Sequence, residues 1–335
     1  MPLKRSDSSL TLIVPDLVFK DEPTTRPSVL AQFAGRGTLT NVEVEGHAAR
    51  ALALWELAVL RSCGLQPEVV ALPSAPLSRL GQTATLDSHT WAHLEPVHLV
   101  AGLNDLAAMQ LRDSSRATHE EHEALTASLN EHLRFDNYEL QPNNQSGWLL
   151  RSTRELNATT IAPEHAFSEP LKHSLPTGPQ GAELRRLMTE IQMLLHEHPV
   201  NRARARGGLP AINAVWLWGL GVLPRRAQAA TSLPSAYGHR NFLKGLYLIH
   251  GQSVRAQQFT VSSLLEHPQS DALAVLEERD ADALDSQWLE PLARAMRRAP
   301  IRHLDIWLDR WHITVTRGEL RRFWRKPRVP AQWGT

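Results

Sequence analysis

Residues 196–221, HEHPVNRARARGGLPAINAVWLWGLG, join a helix end, an arginine-rich connection and a strand-like run that closes on glycines. Arg202, Arg204 and Arg206 alternate ahead of Gly207 and Gly208. A guanidinium is a planar fork of donors suited to two-pronged capture of a phosphate or carboxylate. His196, His198, Asn201 and Asn213 flank the arginines and add donors. These seven residues are the candidate ligand-binding set, and a phosphorylated or carboxylated small metabolite is the ligand class they suit. The alternative is a solvated basic loop. Upstream, Leu184, Leu187, Met188, Ile191, Leu194 and Leu195 recur at helical spacing. Pro199 cannot continue that helix, so the arginines are expected in a loop. Residues 214–220 then predict a strand with Trp216 and Trp218 on one face, and Gly219 and Gly221 allow a turn or close backbone approach.

With LPTG, HPVN, PAIN and WLWG in that order, residues 175–221 resemble a segment of cofactor-independent phosphoglycerate mutases of the archaeal type, in the alkaline phosphatase superfamily. The segment is more similar to a proteobacterial family of RpfE-type regulatory proteins, which FLKGLYLIHG, DALAVLEERDAD and LRRFWRKP also resemble. The resemblance implies an α/β, phosphoglycerate-mutase-like sheet domain with a smaller α+β lid-like insertion. In an active member it implies a serine nucleophile and two divalent metals, manganese or magnesium, that stabilise charge during phosphoryl transfer.

On that resemblance Asp16 stands where the first metal-binding aspartate follows its strand, although Leu17 replaces the usual glycine. A turn or capping aspartate is the alternative. No histidine follows Asp280, Asp282 and Asp285 in their stretch, while HLDIWLDRWH offers Asp305, Asp309 and His312 in a different arrangement. Ser74 and Ser78 lie in LPSAPLSRLG without a family motif around them. The ligand set is incomplete, so a catalytically degenerate protein without a resident cofactor is expected.

The elements that must position these residues follow from periodicity. Strands are expected at residues 10–14 and 69–72, helices at 48–61, 119–133 and 286–298, a hairpin within 136–152 and two strands within 301–317. His119 and His122 lie one helical turn apart, but EEHE around them fits a solvated helix face better than a metal motif. The order of elements suggests a core domain built from residues 1–90 and 211–335, with a lid-like insertion at 91–210.

Composition limits the classes of function. Across 335 residues, 42% hydrophobic and 21% charged residues exclude general disorder. The 36 basic and 35 acidic residues leave a charge of +1, so any anion site must be local. Cys63 is the lone cysteine, which excludes an intrachain disulfide. Pro15 and Asp16 interrupt the first apolar run, and a cytoplasmic protein that engages neither membrane nor nucleic acid is expected. Near the other end, Arg317, Arg321, Arg322, Arg325, Lys326 and Arg328 surround Phe323 and Trp324. A last helix burying Leu320, Phe323 and Trp324 is expected there, with contact to an acidic partner, or to nucleic acid through aromatic stacking, as the alternative.

Three readings remain: a regulatory or metabolite-binding protein, an active metal-dependent mutase or phosphatase, and a protein–protein interaction module.

Overall fold

A computed structural model describes residues 8–19, 27–67, 72–102, 106–224, 233–265, 271–298 and 301–333. Its first elements are β1 (Ser8–Ile13), α1 (Val29–Arg36), β2 (Thr38–Asn41), α2 (His47–Arg50), α3 (Leu54–Ser62) and α4 (Ser74–Thr83). There follow β3 (Thr90–Ala101), β4 (Leu106–Gln110), α5 (His119–Leu133), β5 (Tyr138–Pro142), β6 (Trp148–Ser152), α6 (Pro163–Ala166), α7 (Gly181–His196), α8 (Pro199–Arg206) and β7 (Ala214–Val222). The last third adds β8 (Ser235–Tyr237), α9 (Asn241–Ile249), α10 (Val261–Leu265), β9 (Ala272–Val275), α11 (Ala281–Leu284), α12 (Glu290–Arg298), β10 (Ile301–Leu308) and β11 (Trp311–Thr316).

The first sheet runs β2-β11-β10-β1-β9-β8, with β1 parallel to both β9 and β10. A strand buried on both faces needs apolar residues at every position, as in ALAV of β9, and β1 comes close with LTLI. Alternation sorts them between two cores. Leu10, Leu12, Ala274, Leu304 and Ile306 meet α1 and α12 on one side. Ile13, Leu273, Val275 and Trp307 meet α3, α4 and α9 on the other.

Strands of the second sheet come from residues 90–222 alone. β3 is its axis, pairing with β7 along one edge and with β6 and then β4 along the other. The stripe Leu184, Leu187, Ile191 and Leu195 of α7 and the stripe Leu125, Leu129 and Leu133 of α5 cover one face. Trp216 and Trp218 share the opposite face, as the period of two requires.

The two sheets meet around α4 and α9, whose backbones approach at paired glycines. A Cβ on Gly81 would lie 1.9 Å from the Asn241 carbonyl oxygen, and one on Gly245 would lie 1.9 Å from that of Leu77. The β5–β6 turn locks onto this joint. Asn241 Nδ2 donates to Asn144 Oδ1 at 2.6 Å, and the Asn241 amide donates to Gln145 Oε1 at 2.8 Å.

Most expected elements are present, with informative differences. Residues 48–61 form two helices because Glu56 Oε2 accepts the Ala53 amide at 3.0 Å and caps a new start at α3. The arginine segment is the helix α8, with Pro199 at its first turn, where a missing N–H costs nothing. The run after Ile212 pairs with β3, which places β7 in the second sheet. No terminal helix forms around residues 320–324, where only a 3-10 turn at Glu319–Arg321 is present. Most of the strand expected at 69–72 lies outside the described residues. None of the described helices is long and apolar enough to cross a membrane.

Gly81→Ala must push α4 from α9 and is expected to lower the unfolding free energy by about 1–3 kcal/mol in urea. Gly207→Ala, whose nearest neighbouring atom is 3.5 Å away, serves as the neutral control.

Candidate functional site

The seven residues of the arginine segment do not converge on one site; four of them, His198, Asn201, Arg204 and Asn213, bond to the protein's own groups. Arg204 is buried, and its Nη1 donates to Glu121 Oε2 at 2.7 Å while Nη2 donates to the Ser115 carbonyl at 2.5 Å. Its Nε donates to the Pro210 carbonyl at 2.8 Å, so the fork is spent on the protein's own acceptors. Asn201 bridges the Leu195 and Ile212 backbones, and Asn213 does the same for both backbone groups of Leu99. His198 caps α8, with Nδ1 accepting the Val200 amide. His196, Arg202 and Arg206 are exposed.

The acidic residues singled out by the family resemblance take separate roles, apart from Asp16 and Asp309. Asp16 sits at the turn after β1 with φ 60°, beside Asp309 with φ 48°. The Asp16 amide donates to Asp309 Oδ1 at 3.4 Å, and Arg112 Nη2 lies 3.2 Å from Asp16 Oδ1. A guanidinium thus pairs with this carboxylate. Asp280 caps α11, and Asp285 accepts the Val29 and Leu30 amides at the start of α1. Asp305 pairs with His312 Nε2 at 3.0 Å across β10 and β11. Among the described residues, the only three His, Cys, Asp or Glu side chains with ligand atoms within 4.8 Å of one another are His132, Asp136 and Glu190, which lie elsewhere. Among the described residues, Asp280, Asp285, Asp305 and His312 do not join Asp16 and Asp309 in one ligand set.

Between the two sheets lies a cavity of about 370 Å³. At its floor, Ser74 opens α4 and places Oγ 2.6 Å from Glu56 Oε1 and 3.0 Å from His93 Nε2. All three residues are buried. Burial pushes the Glu56 carboxyl up to about 8, against the opposing effect of the Ser74 and Ala53 hydrogen bonds. Burial likewise presses His93 down to about 3, so acid and imidazole are both neutral at pH 7. The neutral acid can donate to Ser74 Oγ while the hydroxyl donates to His93 Nε2; once Glu56 ionises, the hydroxyl must turn to the carboxylate. Trp218 stacks on His93 with ring centroids 4.4 Å apart. Gly219 permits this approach, because at φ +63° a Cβ would fall 2.9 Å from Ser74 Cβ.

Around the floor, Glu164 is raised to about 7 by burial and then by the charges of Asp16, Asp309 and Glu95. Its Oε2 has no hydrogen-bond partner among the described residues. Glu95 is also raised, chiefly by burial, although Ser146 Oγ donates to it at 2.7 Å. Arg112, Arg116, Arg240 and Arg279 complete the lining. Arg240 pairs with Glu277 at 3.0 Å and lies over the Trp55 ring, and Arg279 pairs with Asp113 at 2.8 Å. Cationic forks beside protonatable carboxyls form a polar cleft that can accept an anion and donate to its oxygens.

Of the expected residues, Asp16 lines this cleft together with Ser78, and Ser74 lies beneath it. Glu56, His93, Glu95 and Glu164 were missed, because they come from α3, β3 and α6 and share no sequence motif. Gly219 carried the one local signal, a glycine inside an apolar strand, where close approach is a usual reason.

A family model for 2,3-bisphosphoglycerate-independent phosphoglycerate mutase matches residues 56–201. A 2,3-bisphosphoglycerate-independent phosphoglycerate mutase of Methanothrix thermoacetophila is 38% identical over 68 residues, covering 20% of this chain and 17% of the relative. A probable enzyme of the same name from Geobacter sulfurreducens is 38% identical over 69 residues, again 17% of its length. The cofactor-independent phosphoglycerate mutase of Thermoplasma acidophilum aligns in structure over 93% of this chain and 90% of its own, at 15% identity and a TM-score of 0.42. Part of the chain is thus similar to the 2,3-bisphosphoglycerate-independent phosphoglycerate mutases, and each curated match spans about a sixth of the relative's length.

Arg204→Ala would remove the cation paired with Glu121 and the donors to the Ser115, Arg116 and Pro210 carbonyls, and is expected to cost about 3–5 kcal/mol in urea unfolding. Arg202→Ala should stay within about 0.5 kcal/mol of the parent. Equal stability of the two variants would remove Arg204 from its structural role.

Proposed function

We propose that the chain is a catalytically degenerate, phosphoglycerate-mutase-like regulatory protein that binds a phosphorylated or carboxylated metabolite in the cleft between its sheets. The observation that carries this reading is the lining itself, where Arg112 and Arg116 face Glu95 and Glu164, two carboxyls raised by burial. Arginine forks suit the phosphate or carboxylate, and carboxyls whose proton burial helps to retain suit hydroxyl or carbonyl oxygens on the same ligand. Catalytic degeneracy is supported by the scattering of Asp16, Asp280, Asp285, Asp305 and His312 among capping and pairing roles. The RpfE-type relation rests on the FLKGLYLIHG and LRRFWRKP segments.

The same reading assigns the core domain to both flanks and a lid-like α+β insertion to residues 90–222. The second boundary moves past 210 because β7 pairs with β3. In this arrangement Asp16 and Arg240 come from the core, Arg112 and Glu95 from the insertion, and a ligand between them links the two.

Calorimetric titration with 3-phosphoglycerate is expected to show binding without added metal, weakened about tenfold or more by Arg116→Ala. Manganese-dependent conversion to 2-phosphoglycerate would contradict the degenerate reading, and unchanged affinity in Arg116→Ala would remove the cleft from it.

A further inference from the structure

The segment RRFWRKPR at residues 321–328 holds five cations and no acid, in a chain whose formal charge is only +1. Its two aromatic rings are not part of any core. Phe323 is 81% exposed and Trp324 is 68% exposed, and the rings pack edge-on against each other with centroids 5.3 Å apart and an interplanar angle of 81°. The terminal helix that would have buried them is absent. Large aromatic side chains left together in water within a cationic setting are a feature that folding alone does not explain.

The backbone beneath the rings is fixed. The Arg328 amide donates to the Ala31 carbonyl at 2.9 Å, and the Lys326 carbonyl packs so close to Gly35 that a Cβ there would lie 2.2 Å from it. Arg322 Nη1 donates to Glu319 Oε1 at 2.9 Å and to the Arg36 carbonyl at 3.3 Å. Arg321, Arg325 and Lys326 are exposed beside the rings, and Val329 extends the apolar surface at 41% exposure. Arg297 and Arg298 add exposed cations at the end of α12, where Arg317 Nη2 donates to the Arg297 carbonyl at 3.0 Å.

We propose that this turn is a docking point for an anionic lipid surface, with Phe323 and Trp324 entering the headgroup layer and Arg321, Arg325 and Lys326 engaging lipid phosphates. Aromatic rings favour the membrane–water interface, and juxtaposed cations are drawn to anionic leaflets. The turn is short and its rings stand nearly perpendicular. Perpendicular rings cannot stack on successive parallel bases, which makes lipid a better fit than single-stranded nucleic acid. Attachment here would be peripheral and reversible, since two rings and a few cations amount to a weak anchor.

Co-sedimentation of the full chain with phosphatidylcholine vesicles, with and without phosphatidylglycerol, tests this. Binding is expected only with phosphatidylglycerol and is expected to fall as salt is raised. Phe323→Ala/Trp324→Ala should weaken it about tenfold or more. Arg325→Ala/Lys326→Ala should weaken it about fivefold per cation. Because all four side chains are exposed, circular dichroism of the variants should match the parent. Absence of binding to anionic vesicles, or equal binding by the ring variant, would overturn the proposal. So would ring-dependent capture of a single-stranded oligonucleotide, or ring-dependent dimerisation, by protein that leaves vesicles unbound.

Discussion

Ser74 Oγ is the atom on which the two halves of the molecule meet. It links Glu56 of α3 to His93 of β3, so one hydroxyl connects the helical cover of the first sheet to the axis of the second. The link is possible only because glycines clear the space around it: Gly219 faces Ser74 and His93, and Gly221 faces Pro73. A few residues along α4, Gly81 lets α9 approach within backbone contact, and α9 in turn grips the β5–β6 turn through Asn241. Cleft, joint and sheet-to-sheet orientation are therefore consequences of one tightly packed helix start.

The electrostatics follow from the same burial. Water is excluded from the floor of the cleft, so the acid there is held neutral instead of being paired with a cation. At the mouth the opposite solution applies, and Asp16 is balanced by Arg112. The cleft therefore combines carboxyls raised by burial, Glu56, Glu95 and Glu164, with an acid balanced by arginine. Hydrogen-bond capacity remains at Glu164 Oε2, which has no partner among the described residues.

Much of the framework was legible in the sequence. The stripe of α7, the boundaries of α5, the hairpin of β5 and β6, and the pair β10 and β11 all follow from spacing and turn residues. What periodicity could not show was where side chains are spent. Arg202, Arg204 and Arg206 look alike in sequence, yet helical rather than extended spacing turns Arg204 inward to Glu121 and leaves the other two in water. The site was less legible than the fold because its residues come from separate elements that only tertiary packing brings together. Phe323 and Trp324 mark the same limit, since amphipathic spacing suggests burial only if a helix forms.

The most direct test of this account is the pH dependence of unfolding free energy for the parent and for Glu56→Gln. A carboxyl whose folded pKa is raised to about 8 from 4.5 stabilises the fold fully below the lower value and loses that contribution as pH climbs to the upper one. The parent is therefore predicted to lose stability relative to Glu56→Gln between about pH 4.5 and 8, with the gap constant above that range. Parallel profiles across the whole window would mean that Glu56 ionises normally, and that the Ser74-centred link is not the dry, neutral joint described here.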